Sequence, residues 1–415
     1  MKPSTKNFNG LGLLLRGSKA ALLLFCVVPL YSSAQVLPAT AQPILTTLAA
    51  PVPVKPATTP SLSISATPAP APIILRILND SGLQNYANII LDWELRANGS
   101  IRQKGSIGNL PIAPKHPATL RLPVRIPSTS SEELFLALRY RYRAGRPLAT
   151  ASFLLKPWTN AQLPVRPSGE LSFTDENGLF TIQSPITLIR FDKQTGWLQA
   201  YEVKNTPFIT DTPGLKPHFW LEPSDYGYSA GDTAASPTWA AASRAPHLQL
   251  FSTSTGSQLV IVRAEYTLPE TSGLLHLSYT INAAGEMQVE QLMEADSTQQ
   301  GESLPCFGMY WLLPPGYDSV TYYGELAAPA IHRITTTPAR ESSNYNGVRW
   351  WKIANKEGKG LQITADSTLL TIGMTAQNRL TIDRPAAPYH LPYGNYRYVF
   401  KVSPALTEEK NKSNK

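Results

Sequence analysis

The chain has few residues that could form covalent cross-links. Among its 415 residues there are two cysteines, and Cys26 lies in an apolar segment near the N-terminus. Removal of that segment would leave Cys306 alone, so stability has to come from burial of a core rather than from an intramolecular disulfide. No G-x-C motif or adjacent histidine marks Cys306 as a nucleophile, and we expect this thiol to be buried in a sheet.

Metal-binding and nucleic-acid-binding patterns are also absent from the sequence. The six histidines, at positions 116, 218, 247, 276, 332 and 390, form no H-x-x-x-H or H-E-x-x-H pair. We therefore expect no metal site and no cofactor. The 37 Lys and Arg residues against 29 Asp and Glu residues give a formal charge of +8. The basic residues form no cluster, so nucleic acid is not an expected partner.

The N-terminus has the pattern of a secretory signal. Residues 1–34 contain a basic region without acids, then the apolar segment Ala20–Leu30, then the small residues Ser32-Ser33-Ala34 at which cleavage is expected. The basic residues are Lys2, Lys6, Arg16 and Lys19. This pattern predicts a secreted or periplasmic protein with no transmembrane segment after cleavage. The alternative is an uncleaved membrane anchor.

The flanking segments cannot contribute a core. Residues 35–72 are rich in Pro, Ala and Thr and nearly free of charge, which predicts an extended linker. Residues 406–415 are polar and charged, which predicts a disordered tail.

Long helical patterns are missing, and the period-two pattern of strands is present instead. In residues 73–160, apolar Ile89, Leu91, Trp93 and Leu95 alternate with less apolar residues, and a turn follows at Asn98-Gly99. About seven short strands of this kind predict an immunoglobulin-like sandwich with Trp93 in its core. Residues 161–405 show strands throughout, which predicts a large antiparallel sandwich and an all-β fold overall.

Several motifs resemble the last part of the large bacterial beta-galactosidases of glycoside hydrolase family 2. Their last domain carries F-W-R-A-P-T-D-N-D-x-G followed by a tryptophan, and residues 219–227 (FWLEPSDYG) followed by Trp239 are similar to it. Residues 304–309 (LPCFGM) resemble the family's L-P-R-x-G-L/M. Further matches in the same order are 191–196 (FDKQTG), 320–324 (VTYYG), and 347–350 (GVRW) with 355–361 (NKEGKGL).

This resemblance implies a fold and also the absence of a catalytic domain. It implies the immunoglobulin-like sandwich, followed by the beta-galactosidase small-chain domain with its mutarotase-like supersandwich. In the family, both catalytic glutamates lie on a TIM barrel, which needs about 250 residues of alternating strands and helices. This sequence has no such pattern, so we expect no catalytic residue here and no activity of the chain alone.

The resemblance also points to a candidate site. The family's segment after D-N-D borders the active-site pocket and corresponds here to residues 226–229 (YGYS). Aromatic faces match sugar rings, and carboxylates accept hydrogen bonds from hydroxyl groups. The candidate carbohydrate-binding residues are Trp220, Glu222, Asp225, Tyr226, Tyr228, Arg349 and Trp350. This chain departs from the family, since Tyr226-Gly227 replaces the N-D pair and Leu221 replaces the arginine after F-W.

Some of these residues have structural interpretations as well. Trp220 is a candidate core residue, and Arg349 is expected to pair with an inner carboxylate rather than to stack on a sugar. His276 with Glu290 would suit the acid and base of a mutarotase, but a strand histidine and glutamate more often face solvent.

Three functions remain open at this point. The first is a secreted, non-catalytic protein that binds carbohydrate or acts as an accessory in glycan metabolism. The second is the small subunit of a split beta-galactosidase, completing a TIM-barrel glycosidase on another chain. The third is a structural envelope protein.

Overall fold

The computed structural model of the chain consists mainly of antiparallel strands in the residues that it describes. The residues described are 61–65, 73–79, 86–110, 112–126, 132–159, 169–209, 213–220, 237–271, 273–295, 303–325, 332–339, 343–375, 377–385 and 391–406. The predicted signal peptide lies outside them. A strand at Ser61–Ser65 falls inside the predicted linker, where the sequence SLSIS has the alternation of a strand.

The first part of the chain is a sandwich of two antiparallel sheets. One has the order β1-β2-β5, with β1 (Ser61–Ser65), β2 (Ile73–Leu78) and β5 (Pro117–Leu122). The other has the order β4-β3-β6-β7, with β3 (Ile89–Ala97), β4 (Ser100–Ile107), β6 (Leu134–Tyr142) and β7 (Pro147–Lys156). A single 3-10 turn, Tyr86–Asn88, precedes β3.

Strand β3 shows why these residues form a half-buried sheet. Its side chains are alternately buried and partly exposed, as the period-two pattern predicts. Trp93 is 5% exposed, which confirms its core position. The ring covers Gly105 on β4, where an added Cβ would lie 2.6 Å from the indole. The turn to β4 uses Asn98 and Gly99, both with positive φ (46° and 81°), which is typical of a type I′ hairpin.

The second part contains a five-stranded sheet packed on a much larger one. The smaller sheet has the order β12-β11-β10-β9-β8. Its strands are β8 (Ser172–Glu176), β9 (Leu179–Gln183), β10 (Thr187–Asp192), β11 (Leu198–Val203) and β12 (Thr206–Pro207). Its inward residues share one hydrophobic core with the larger sheet. Trp311 spans the two, since its indole N–H donates to the Phe208 carbonyl (2.8 Å) and its ring packs edge-on against Tyr201.

The larger sheet has thirteen strands, and its main path is β13-β18-β24-β23-β21-β22-β25-β17-β16-β15-β14. A β19–β20 hairpin branches from β21. In chain order, the first seven strands of this sheet are β13 (Lys216–His218), β14 (His247–Thr255), β15 (Leu259–Thr267), β16 (Leu274–Asn282), β17 (Met287–Glu294), β18 (Gly308–Leu312) and β19 (Tyr317–Glu325). The others are β20 (His332–Pro338), β21 (Ser343–Asn355), β22 (Lys359–Ala365), β23 (Leu370–Met374), β24 (Arg379–Asp383) and β25 (Tyr396–Leu406).

Helix plays a minor part in the described ranges. They contain one α-helix, α1 (Pro237–Arg244). No helix in the part of the chain that the structure describes has the length and apolar character needed to cross a bilayer. The prediction of an all-β fold, a small sandwich followed by a large antiparallel supersandwich, is confirmed.

A buried ion pair joins the two sandwiches. Glu133, just before β6, accepts from Nη2 of Arg349 on β21 (2.7 Å) and from its Nε (3.1 and 3.0 Å). The hydroxyl of Tyr323 on β19 also donates to Glu133. The backbone N–H of Glu133 donates to Oδ1 of Asn98 (2.9 Å), and an added Cβ at Gly99 would lie 2.8 Å from the Tyr323 ring. We call these five residues the joint.

The small sandwich contains a second ion pair, which makes its stability depend on pH. Asp92 on β3 accepts from Nε of Arg141 on β6 (2.7 Å) and from the Ser106 hydroxyl (2.6 Å). The hydrogen bond from Arg141, opposed by burial and helped by Ser106, holds the pKa of Asp92 below its ordinary value. The ionised carboxylate is therefore favoured in the folded state.

Replacing Asp92 by asparagine is expected to lower stability at neutral pH and to matter less in acid. Because the folded pKa is depressed, the contribution of Asp92 is present above its unfolded pKa of about 3.9 and is lost as pH falls through the lower folded value. The free energies of unfolding of the parent and Asp92→Asn proteins, measured with urea between neutral pH and pH ~3, should therefore become more similar as the pH falls. Asp175→Asn, which breaks an exposed pair with Lys193, should have little effect at neutral pH. A gap for Asp92→Asn that stays constant into acid would contradict this.

Candidate functional site

The segment around Trp220 begins on a buried strand and ends at a partly buried tryptophan. Phe219 is fully buried, and its backbone N–H donates to the Ser243 hydroxyl of α1 (3.0 Å). Trp220 is partly buried and packs on the core of the large sandwich. The guanidinium of Arg244 lies over its ring, 4.7 Å from the centroid. Trp220 is therefore both a packing residue and part of the surface.

The remaining loop candidates lie outside the described residues. They are Glu222, Asp225, Tyr226 and Tyr228. The described chain enters this loop after Trp220 and leaves it at Pro237, where α1 begins. The helix returns to β13 through Ser243, whose hydroxyl also donates to the Trp239 carbonyl (2.9 Å). The two ends of the loop are thus held together by a buried hydrogen bond.

Arg349 and Trp350 lie elsewhere in the sheet. Arg349 is 4% exposed and pairs with Glu133 in the joint. Trp350 is partly buried on β21, opposite Tyr323 and Thr364 of the neighbouring strands. Three strands, β18, β24 and β23, separate β21 from β13 along the sheet. The structure therefore does not bring Arg349 and Trp350 together with Trp220.

The partly exposed face of β15, β16 and β17 carries a group of charged residues around His276. Nδ1 of His276 lies 3.8 Å from Glu265, and Nε2 lies 3.7 Å from Glu294. Glu290 is on the next strand, two positions from direct opposition, and it accepts a 2.6 Å hydrogen bond from Arg397. Glu265, His276 and Glu290 line an open depression of about 320 Å³. Because Arg397 already binds Glu290, this carboxylate does not have the environment of a free catalytic base.

A buried group of three side chains was not anticipated from local motifs. Oδ1 of Asp383 accepts a 2.8 Å hydrogen bond from Nδ1 of His218, and the Cys306 thiol donates to the His218 carbonyl (3.5 Å). One ligating atom from each residue lies within 4.8 Å of the others. All three residues are buried, as expected for the thiol of Cys306.

These three residues are brought together by the register of three strands. His218 on β13 pairs with Gly308 on β18, and Gly308 pairs with Asp383 on β24. Since Gly308 has no side chain, His218 and Asp383 can meet across it. Cys306 lies two residues before β18, and its thiol reaches the His218 carbonyl. We call His218, Cys306 and Asp383 the Cys-His-Asp cluster.

Comparison with known proteins identifies the central part of the chain. Residues 184–325 match the family model described as beta galactosidase small chain. This is a beta-galactosidase small-chain-like region. The match includes Trp220, α1 and the segment 304–309, so the resemblance drawn from the motifs is confirmed.

A curated relative extends the match beyond that region. A beta-galactosidase from Priestia megaterium is 25% identical over 346 residues, which cover 77% of this chain and 32% of the relative. The chain thus spans about a third of the length of the curated relative that it matches.

Solved structures with similar folds were also found. An alpha-galactosidase from Lactobacillus brevis matches with a TM-score of 0.35 and 13% identity, over 57% of this chain and 40% of that one. A galactose 1-epimerase from Lactobacillus acidophilus matches with a TM-score of 0.35 and 10% identity, over 58% of this chain and all of that one (100%).

Proposed function

We propose that this chain is a non-catalytic accessory protein of glycan metabolism that binds carbohydrate at the surface formed by Trp220 and the loop that follows it. The observation that carries the proposal is the partly buried Trp220 beside Arg244, inside the small-chain-like region. The indole packs on the core and Arg244 lies over its ring, so the part of it that stays accessible is held in place for contact with a sugar at little entropic cost. Glu222 and Asp225, close to it in sequence, supply hydrogen-bond acceptors for hydroxyl groups.

The architecture of the described residues supports a non-catalytic role. Glycoside hydrolysis needs two carboxylates about 5 to 9 Å apart on a rigid frame. Three carboxylates among the described residues are held by basic side chains: Glu133 by Arg349, Asp383 by His218, and Glu290 by Arg397. A carboxylate held in an ion pair is better suited to stabilising the fold than to acting as a general acid or base.

The binding proposal is tested by changing the loop aromatics. In a glycan-binding screen followed by calorimetry, Tyr226→Ala with Tyr228→Ala is expected to weaken binding by at least about tenfold, since each lost aromatic contact removes on the order of 1 kcal/mol or more. Stability should change by less than about 1 kcal/mol, as for exposed positions. Phe173→Ala, at an exposed aromatic on β8, is the control and should keep the parent affinity.

Two results would overturn the proposal. One is a double variant that binds as tightly as the parent. The other is a parent that binds no glycan in the screen. A double variant that melts many degrees lower would show that the loop is structural, and the binding site would then have to be sought elsewhere.

A second candidate is a subunit of a split glycosidase. It is favoured by the small-chain match. A neighbouring reading frame that encodes a TIM barrel but stops before these domains would favour it. Hydrolysis of an aryl galactoside should then appear only when both chains are mixed, and turnover by this chain alone would exclude both candidates.

The proposed location is outside the cytoplasm. The basic residues and the apolar segment Ala20–Leu30 support export with cleavage after Ala34. Sequencing the N-terminus of protein recovered from the producing cells tests this, because an intact Met1 would contradict cleavage.

A further inference from the structure

We propose that the Cys-His-Asp cluster is a zinc-binding site that stabilises the large sandwich. The inference is independent of carbohydrate binding. It concerns buried residues on β13 and β24 and just before β18, and not the loop after Trp220.

The first argument is the kind of donor atoms that meet here. Thiolate, imidazole and carboxylate are the three ligand types that zinc takes in proteins, and the combination of soft and borderline donors disfavours magnesium and calcium. Cys306 is the only cysteine among the described residues, and it lies beside the histidine that Asp383 binds. The side chains of His218, Cys306 and Asp383 together are typical of a metal site, whereas a sheet core consists mainly of apolar side chains.

The second argument is charge. Asp383 has a side chain only 12% exposed, and its hydrogen-bond partner His218 is 1% exposed. Burying a carboxylate is costly unless a cation balances it. With Cys306 as thiolate and His218 neutral, the cluster carries two negative charges, and one zinc ion brings the site to neutrality.

The third argument is geometry. In a tetrahedral site with bonds of about 2.0 to 2.3 Å, ligand atoms lie about 3.3 to 3.8 Å apart. The cluster atoms lie within 4.8 Å of each other, and the closest pair, Nδ1 of His218 and Oδ1 of Asp383, is at 2.8 Å. Shifts of less than about 1 Å in side-chain positions convert the hydrogen bond into two metal bonds. Three protein ligands leave a fourth position for water or another donor.

The fourth argument is that the backbone around the cluster is rigid. All three residues are on or next to paired strands, and Gly308 allows β18 to approach Asp383 closely. Tyr310 packs edge-on against His218 with ring centroids 6.4 Å apart. The Tyr398 hydroxyl donates to the Ile382 carbonyl (2.8 Å). A firm surrounding of this kind orients ligands.

The experiment uses the full chain with Cys26→Ser, so that Cys306 is the single thiol. The protein is stripped with a chelator, loaded with zinc, desalted and analysed by mass spectrometry for metal. We expect one zinc ion per chain and a rise in melting temperature on loading, because binding to the native state stabilises it. Loading with cobalt should produce a thiolate-to-cobalt charge-transfer band, which reports on the sulfur ligand directly.

Matched variants separate this site from adventitious binding. Cys306→Ser and Asp383→Asn should each weaken zinc binding by at least about tenfold and remove the zinc-dependent rise in melting temperature. His276→Gln removes a partly buried histidine between Glu265 and Glu294, an alternative metal ligand outside the cluster, and should leave zinc binding and the zinc-dependent rise in melting temperature unchanged.

Three results would overturn the proposal. They are a parent that retains no zinc, a cobalt complex without the charge-transfer band, and zinc binding that is lost in His276→Gln but kept in Cys306→Ser. The cobalt spectrum needs no substitution in the cluster, so it remains decisive if the Cys306→Ser and Asp383→Asn proteins fail to fold.

Discussion

Replacing Glu133 by alanine is expected to lower the free energy of unfolding by about 3–5 kcal/mol, because it leaves a buried arginine without its partner. Glu133 is 1% exposed, and Arg349 is 4% exposed. Three hydrogen bonds from the guanidinium and one from Tyr323 all end on this carboxylate. The change should appear in denaturant unfolding followed by both tryptophan fluorescence and circular dichroism.

A neighbouring residue is the natural control. Glu132 forms an exposed pair with Arg102, and Glu132→Ala should cost no more than about 1 kcal/mol. The triple variant Glu133→Leu, Arg349→Met and Tyr323→Phe should recover most of the loss, since an apolar group of similar volume needs no charge balance and leaves no buried hydroxyl without its acceptor. If Glu133→Ala proves as mild as Glu132→Ala, the joint does not carry the contact between the sandwiches.

Replacing Gly308 by alanine is expected to destabilise the large sandwich by at least about 1–3 kcal/mol, the range for overpacked cores. An added Cβ would collide with Oδ1 of Asp383 and with the Ile382 carbonyl oxygen. The carbonyl belongs to the backbone of the paired strand β24, so no side-chain rotation relieves the contact. Thermal and urea unfolding measure the loss.

Gly394 is the matched control for this substitution. No atom lies within 4 Å of an added Cβ there, and its φ is not in the left-handed region. Gly394→Ala should therefore leave stability unchanged or raise it slightly by restricting the unfolded chain. Equal melting temperatures for the two variants would show that β18 and β24 can separate at Gly308 without cost.

The strands were predictable because their signal is local. In β3 the alternation of apolar residues and the Asn98-Gly99 turn are read within eleven residues, from Ile89 to Gly99, and the structure follows them. The family resemblance was predictable for a different reason, since residues 304–309 and 320–324 keep their order along the chain. Neither signal depends on how distant segments meet.

The joint and the Cys-His-Asp cluster, in contrast, are formed by residues that lie far apart in the sequence. The sequence led us to expect that Arg349 pairs with an inner carboxylate, but Glu133 lies 216 positions away and in the other sandwich. His218 and Asp383 are 165 positions apart, and only the register through Gly308 aligns them. The one hint in the sequence was Cys306, which stands where the family's L-P-R-x-G motif has arginine.

The position of β25 determines when the large sandwich can form during synthesis. This strand, Tyr396–Leu406, comes last among the described strands but lies between β22 and β17 in the sheet. Until it leaves the ribosome, the strands on both sides have unpaired edges that can join other chains. The edge of β17 therefore needs protection from the synthesis of Glu294 onward and that of β22 from Ala365 onward, and the sheet closes only when β25 has been made.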